Sequence, residues 1–225
     1  MCVNVHESLK DNCRLAGVRH LSRVRQVGRF DQTGCFGRIA QLCQPLDPFR
    51  RAGRVGSSIT FTSKSGPLTV SRDGERLAMD FPSIPPGRSA PNPELDQALG
   101  AKPQALFEGY QWLAVYESVE QVRALTPDFP ALGKLPLHAV IVTARGRDCD
   151  FVSRFFAPSA GIAEDPVTGS AHSRLIPYWA KVLGKTRLHA RQLSARGGEL
   201  WCELKGERVM MAGQVAPYLE GTIEI

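Results

Sequence analysis

Polar and apolar residues alternate along the chain from about residue 57, which is the period of a β-strand with one buried face. This alternation predicts three consecutive strands, at residues 59–62, 68–71 and 77–81. The pair Asp73-Gly74 lies between the last two strands and suits a type I′ hairpin turn, where both central residues need positive φ. The pattern therefore predicts a three-stranded meander, followed by a proline-rich connector over residues 82–93.

Beyond the connector, the hydrophobic pattern predicts both helices and strands. Short helices are predicted at residues 93–99 and 120–125, the second capped by the side chain of Ser118. Strands are predicted at residues 111–116, 138–143, 150–156, 188–194, 199–204 and 208–211, with a further candidate at 222–225. This part of the chain is therefore expected to contain more strands than helices.

The strongest helical pattern covers residues 169–183. Its apolar residues form one stripe: Ala171, Leu175, Ile176, Trp179, Val182 and Leu183. Pro177 has no backbone N–H, so it is expected to kink this helix or to shift its hydrogen bonding. Gly184-Lys185 is typical of a helix C-terminus. Strands that surround one apolar helix indicate an α+β fold.

The composition is that of a soluble globular protein, with 43% hydrophobic and 22% charged residues. No apolar run approaches the roughly 18 residues of a membrane helix, and residues 1–20 lack the apolar stretch of a signal peptide. We therefore expect no membrane association and a cytoplasmic location. The six cysteines form no Cys-x-x-Cys pair and have no histidine at zinc-ligand spacing, so no metal site is expected.

The formal net charge of +6 is concentrated in one segment. Residues 1–54 contain ten Lys and Arg against four Asp and Glu, whereas residues 55–225 contain eighteen of each. A basic segment without a sustained hydrophobic period is usually a solvated arm, with contact to nucleic acid as the minority alternative. The balanced charge of residues 55–225 makes nucleic-acid binding an unlikely function for that part.

Chemistry is suggested by the turn at residues 164–170, which reads Glu-Asp-Pro-Val-Thr-Gly-Ser and leads into the strongest helix. The N–H groups of a first helical turn, together with the helix dipole, make a site for anions. Gly169 has no Cβ and lets a ligand approach the backbone. Asp165, held next to this site by Pro166, is placed to exchange a proton with a bound acid.

Purely structural explanations exist for the same residues. Asp165 or Thr168 would serve equally as a helix cap. His172, one turn inside the helix, is more often a packed or solvated side chain than a catalyst. Arg196-Gly197-Gly198 is a candidate for holding a substrate carboxylate, but a hairpin that needs positive φ also explains both glycines.

Several motifs, in order, resemble the second domain of the phenazine biosynthesis-like (PhzF-like) family. They are Arg154-Phe155-Phe156-Ala157-Pro158, the run from Gly161 to His172, Tyr178-Trp179, Leu183-Gly184, the run from Gln192 to Leu200, and Leu219-Glu220-Gly221-Thr222. Residues 57–82 are similar to the meander that ends the family's first domain. The resemblance covers roughly residues 57–225.

The resemblance implies a diaminopimelate epimerase-like fold, with two α+β lobes that each wrap a sheet around a central helix. It implies an isomerase that works by proton transfer without a cofactor, as on a dihydro-hydroxyanthranilate. Asp165 would then be the acid/base group, Gly169 and Ser170 would bind substrate, and Thr168 would shape the turn. A small carboxylate-bearing substrate and homodimerisation are further implications.

The chain departs from the family pattern in residues 1–54, which contain neither the Ser-Glu-Thr motif nor the Cys-Gly-His motif. We therefore divide the chain into an atypical basic segment (1–54), a remnant of the first lobe with the connector (55–97) and a second lobe (98–225). Three functions remain open. The first is an active isomerase, and the second is a catalytically impaired remnant that binds a small anion or a protein partner. The third is a protein that binds nucleic acid through the basic segment.

Overall fold

The computed structural model describes residues 58–63 and 66–215. The basic segment at residues 1–54 and the candidate strand at 222–225 lie outside these ranges. Within them, no helix combines the length and the apolar character that crossing a membrane requires.

Eleven strands form one mixed sheet in the described part of the chain. They are β1 Ser58–Ser63, β2 Gly66–Asp73, β3 Arg76–Pro82, β4 Gly87–Arg88, β5 Ala105–Glu108, β6 Gln111–Val115, β7 Ala139–Arg145, β8 Phe151–Phe156, β9 Arg187–Gln192, β10 Gly198–Lys205 and β11 Arg208–Gln214. Their order across the sheet is β1-β2-β3-β11-β10-β9-β8-β7-β6-β5-β4. Neighbouring strands are antiparallel except for two parallel pairs, β6 with β7 and β8 with β9.

Four α-helices accompany the sheet in the described ranges: α1 Pro93–Leu99, α2 Val119–Ala124, α3 Phe129–Lys134 and α4 Gly169–Leu183. A 3₁₀ turn at Pro158–Ala160 lies between β8 and α4. Side-chain oxygens cap the three short helices, because Asn92, Ser118 and Asp128 each accept a hydrogen bond from an N–H of the first turn. The predicted cap at Ser118 is confirmed.

The predicted meander is also confirmed, and it shares a sheet with the strands of the predicted second lobe. Strand β3 pairs with β11 over its full length, from Pro82 opposite Arg208 to Arg76 opposite Gln214. Helix α1 packs in the same hydrophobic cluster as α2 and α3. The division at residue 97 stays a prediction, but the elements on its two sides are continuous in packing.

Helix α4 is the centre of the core, as predicted for the strongest helical pattern. Its buried side chains share one hydrophobic cluster with residues from eight strands: Val70, Met79, Leu113, Ile141, Phe151, Leu188, Leu200 and Met211. Strand β7 separates this cluster from a second one, because its side chains alternate between the two. Ile141 faces α4, whereas Val140 and Val142 face α1, α2 and α3. The α+β prediction is confirmed by this arrangement.

The burial of α4 differs from the predicted single stripe in two ways. Val182, assigned to the stripe, is 53% exposed because the last turn of the helix extends past the covering strands; the neighbouring Lys181 and Gly184 are exposed as well. In the first turns, by contrast, the polar side chains of His172, Ser173 and Arg174 are buried. The second turn of α4 is therefore largely enclosed, with polar groups inside, whereas Ser170 in the first turn is half-buried.

Pro177 changes the hydrogen bonding of α4, as predicted. The helix runs unbroken from Gly169 to Leu183, but the missing N–H of Pro177 frees the carbonyl of Ser173, four residues earlier. This carbonyl accepts a hydrogen bond of 2.8 Å from the N–H of Ile84 in the connector. The proline thus creates an attachment point between α4 and the segment that joins β3 to β4.

Candidate functional site

The carboxyl group of Asp165 lies at the start of α4, in the turn that follows β8 and the 3₁₀ turn. The residue is 1% exposed. Its N–H donates to the carbonyl oxygen of Phe155, at 2.9 Å, which anchors the turn to the end of β8. The hydroxyl of Thr168 donates a hydrogen bond to Oδ2 of Asp165. The structure therefore brings together two of the residues that the sequence singled out.

The alternative that Thr168 caps the helix is wrong. Thr168 occupies the N-cap position, but its side chain makes no hydrogen bond to the first turn. The hydroxyl is directed to Asp165 instead. The hydrogen bond from Thr168 therefore fixes the orientation of the Asp165 carboxyl group.

The side-chain amide of Gln192, at the end of β9, holds this turn together. Its Oε1 accepts from the N–H of Thr168 at 2.8 Å, and its Nε2 donates to the carbonyl of Asp165 at 2.7 Å. Nε2 also lies 3.1 Å from the Thr168 hydroxyl oxygen. Gln192 is 1% exposed, so these bonds are made away from water. One amide therefore satisfies a buried carbonyl group and a buried N–H group of the turn.

A second support comes from the loop between β9 and β10. The hydroxyl of Ser194 donates to the carbonyl of Pro166 at 2.7 Å and accepts from the N–H of Gly197 at 3.0 Å. Gly197 has φ of 69°, so the expected need for positive φ is confirmed there. Gly198 has a different reason, because a Cβ at this position would lie 2.4 Å from Cγ2 of Val167. The positive-φ explanation of Gly198 is wrong, and close packing on the turn replaces it.

Replacing Gly198 by alanine is expected to destabilise the protein by about 1–3 kcal/mol, because the added methyl overpacks against Val167. Urea unfolding measures this. The matched comparison is Gly197→Ala, which is strained by its positive φ and costs about 1–2 kcal/mol. Val167→Ala should rescue the Gly198 variant but not the Gly197 variant. Equal rescue of both would contradict the packing explanation.

Glu164 fixes the turn from the other side. Its carboxylate accepts two hydrogen bonds from the guanidinium of Arg154, at 2.8 and 3.0 Å. The same guanidinium donates to the carbonyl groups of Val122 and Leu125, at the end of α2. A bidentate pair with further hydrogen bonds is the geometry in which Arg gives most rigidity. The ends of β8 and α2 and the turn therefore form one connected unit.

Gly169 and Ser170 begin α4, as predicted. Gly169 is buried, and the hydroxyl oxygen of Ser170 accepts a hydrogen bond of 3.0 Å from Nε2 of Gln111. Gln111 is 6% exposed and opens strand β6. The N–H groups of a first helical turn have no partner within the helix, so together with the helix dipole they favour an anion at this end. Arg196, the other candidate for a carboxylate, has an exposed side chain.

His172 is a packed side chain, as expected for a histidine one turn inside a helix. It is fully buried, and its Nδ1 lies 2.7 Å from the carbonyl oxygen of Thr168. Because a carbonyl only accepts, Nδ1 carries the proton in the neutral ring, and Nε2 has no hydrogen-bond partner in the described part of the chain. Burial lowers the pKa of His172 to about 4, although the Thr168 carbonyl raises it slightly.

This burial predicts a loss of stability in acid. An unfolded chain takes up a proton at His172 near pH 6.5, whereas the folded chain does so only near pH 4. Stability should therefore decrease as the pH falls from about 7 to about 4, by up to about 3 kcal/mol from this residue. Urea unfolding of the native protein and of His172→Gln across this range tests it. Parallel pH curves for the two proteins would refute the assignment.

The protein has an α+β fold of the epimerase-like class. A buried carboxyl group, that of Asp165, lies at the N-terminus of its central helix. In agreement, the structure of a predicted epimerase from Pseudomonas aeruginosa matches the fold alone, with a TM-score of 0.52 at 17% identity, over 84% of this chain and 73% of that one. The model of the phenazine biosynthesis-like protein family matches residues 49–221. The chain belongs to this family.

Two relatives are much more similar. A protein of P. aeruginosa named an uncharacterized isomerase is 54% identical over 171 residues, which cover 76% of this chain and 66% of that protein. The crystal structure of a PhzF-family phenazine biosynthesis protein from Enterococcus faecalis is 41% identical, with a TM-score of 0.78 over 87% of this chain and 74% of that one. The chain spans about two thirds of the length of the P. aeruginosa relative and of two further bacterial proteins named uncharacterized isomerases. The family resemblance is confirmed.

Proposed function

We propose that this chain carries the proton-transfer site of a cofactor-independent isomerase that acts on a small carboxylate-bearing substrate. The observation that carries the proposal is the position of Asp165, 1% exposed and hydrogen-bonded by Thr168, directly before the N-terminus of α4. An acid in this place can exchange a proton with a carbon or oxygen atom of a ligand bound at the helix end. The relative named an isomerase supports this reaction type.

The proposed roles follow from the geometry. The first-turn N–H groups at Gly169 and Ser170 bind the substrate carboxylate, because the helix dipole favours negative charge there. Asp165 then gives or takes the proton, so that one C–H bond breaks and another forms without oxidation or loss of a group. Thr168 and Gln192 keep the acid in place during the exchange.

Deuterium uptake tests the proposal. The protein is incubated in D₂O with trans-2,3-dihydro-3-hydroxyanthranilate, the type of substrate that the resemblance implies, and NMR follows the exchange of its carbon-bound hydrogens. Uptake that depends on the protein supports proton transfer. Binding of the compound without any uptake would contradict it.

The second candidate is a binding protein that has lost catalysis. The observation in its favour is that residues 1–54 lack the Ser-Glu-Thr motif, while the turn at Asp165 keeps its full set of supporting bonds. In that case the native protein would bind the compound without deuterium uptake. A variant with Asp165 replaced would show no uptake either. Homodimerisation, which the resemblance also implies, is a proposal that sedimentation equilibrium tests.

A further inference from the structure

Arg174 is a buried cation close to the proposed anion site. It lies on α4, four residues after Ser170, and is 7% exposed. Its Nη2 donates to the carbonyl of Glu108 at 2.7 Å, and its Nε has no hydrogen-bond partner. Among the described residues it forms no ion pair. The side chain thus buries a positive charge that the protein satisfies only in part.

This arrangement differs from that of Arg154, another largely buried arginine. Arg154 has the carboxylate of Glu164 as a bidentate partner and two further carbonyl acceptors. A guanidinium remains charged at any physiological pH and offers five donors, so an arginine with a purely structural role is expected to be paired in this way. Among the described residues, no carboxylate pairs with Arg174, so its charge is available to a bound ligand.

The position of Arg174 in α4 indicates where such a ligand would bind. Helical side chains lean towards the helix N-terminus, and residues four apart lie on the same face, so Arg174 extends back over the turn that contains Ser170. The facing ends of β5 and β6 contact both residues, because the carbonyl of Glu108 accepts from Arg174 and the side chain of Gln111 donates to Ser170. A Cβ on Gly109 would lie 2.6 Å from Nη1, so the guanidinium lies flat against this loop.

We propose that Arg174 is the residue that makes this site specific for carboxylates over neutral ligands of the same shape. Its buried charge adds to the dipole of α4 and is anchored by the carbonyl of Glu108 at the end of β5. The inference rests on the proposed function, because it concerns the ligand of the same site. Arg174 acts by its charge and position; the proton transfer itself belongs to Asp165.

The test compares two fluorescent probes of nearly the same shape, anthranilate, which is charged, and 2-aminobenzamide, which is neutral. Native protein should bind anthranilate more tightly. In Arg174→Gln, anthranilate affinity should fall by about tenfold or more while 2-aminobenzamide affinity is unchanged, and Arg174→Lys should keep most of the preference. Arg208→Gln, which removes an exposed ion pair with Asp80, is the matched control and should leave both affinities unchanged.

Three results would overturn the inference: native protein that does not prefer anthranilate, an Arg174→Gln variant with unchanged preference, or equal weakening of both probes. Equal loss of preference in the Lys and Gln variants would also count against it. The preference of the native protein is measured in any case, so a poorly folded variant does not remove the test. Deuterium uptake is a separate readout: its absence refutes the proposed isomerase without altering the binding result.

Discussion

Proton exchange into the substrate is expected to fall by roughly 10²- to 10⁴-fold when Asp165 is replaced by asparagine. Asparagine has nearly the same shape, and its side-chain oxygen can still accept the hydrogen bond from Thr168, so the turn should remain intact. It cannot give or take a proton at neutral pH. Deuterium uptake measured by NMR gives the rate, and circular dichroism confirms the fold.

Asp150→Asn is the matched control for this experiment. Asp150 accepts hydrogen bonds from the N–H of His189 and from Lys185, at the opposite end of β8 from Asp165. Its replacement should reduce stability without a change in exchange rate. If Asp165→Asn retained the native rate, the proton-transfer role of Asp165 would be wrong, whatever the control showed.

Replacing Gln192 by leucine is expected to destabilise the protein by about 2–6 kcal/mol. Leucine is similar in size but leaves the N–H of Thr168 and the carbonyl of Asp165 buried without their partner. Each such group costs about 1–3 kcal/mol. The same change should loosen the turn and lower the affinity for anthranilate. Urea unfolding gives the free energy, and probe fluorescence gives the affinity.

Ser194→Ala provides a graded comparison for Gln192→Leu. It removes two hydrogen bonds in a part-buried position, one to the carbonyl of Pro166 and one from the N–H of Gly197, and should cost about 1 kcal/mol for each. A Gln192→Leu variant as stable as Ser194→Ala would show that water replaces the amide. The hydrogen bonds of the Gln192 side chain would then be unnecessary for the structure of the turn.

The local features of the fold could be predicted from the sequence, because they depend on local patterns. Helix α4 begins and ends at the predicted residues, since Gly169 and Gly184 bound its pattern. The sequence does not predict strand β5 or helix α3, because their local patterns are weak. Ala105–Glu108 is too short for a period to emerge, and α3 contains both Pro130 and Gly133. The pairing of β3 with β11 joins distant parts of the chain, and no local pattern encodes it.

The site could be predicted in part. Asp165, Thr168, Gly169 and Ser170 are adjacent in sequence, so the motif and the physics of a helix start identify them together. Their partners Gln192 and Gln111 lie far along the chain, and only the fold shows their contacts. Gln192 belongs to one of the motifs on which the family resemblance rests, so the sequence did indicate its importance. A polar residue in a strand does not, however, reveal which groups it binds.

The two parallel strands that flank α4 have a consequence for the order of folding. The chain runs from β8 through the turn and α4 into β9, so the contact between Gln192 and Asp165 closes a loop of only 27 residues. The contact between Arg208 and Asp80 spans 128 residues. Closing the longer loop costs about 1.4 kcal/mol more in chain entropy. The acid and its amide support can therefore assemble before β11 reaches the meander.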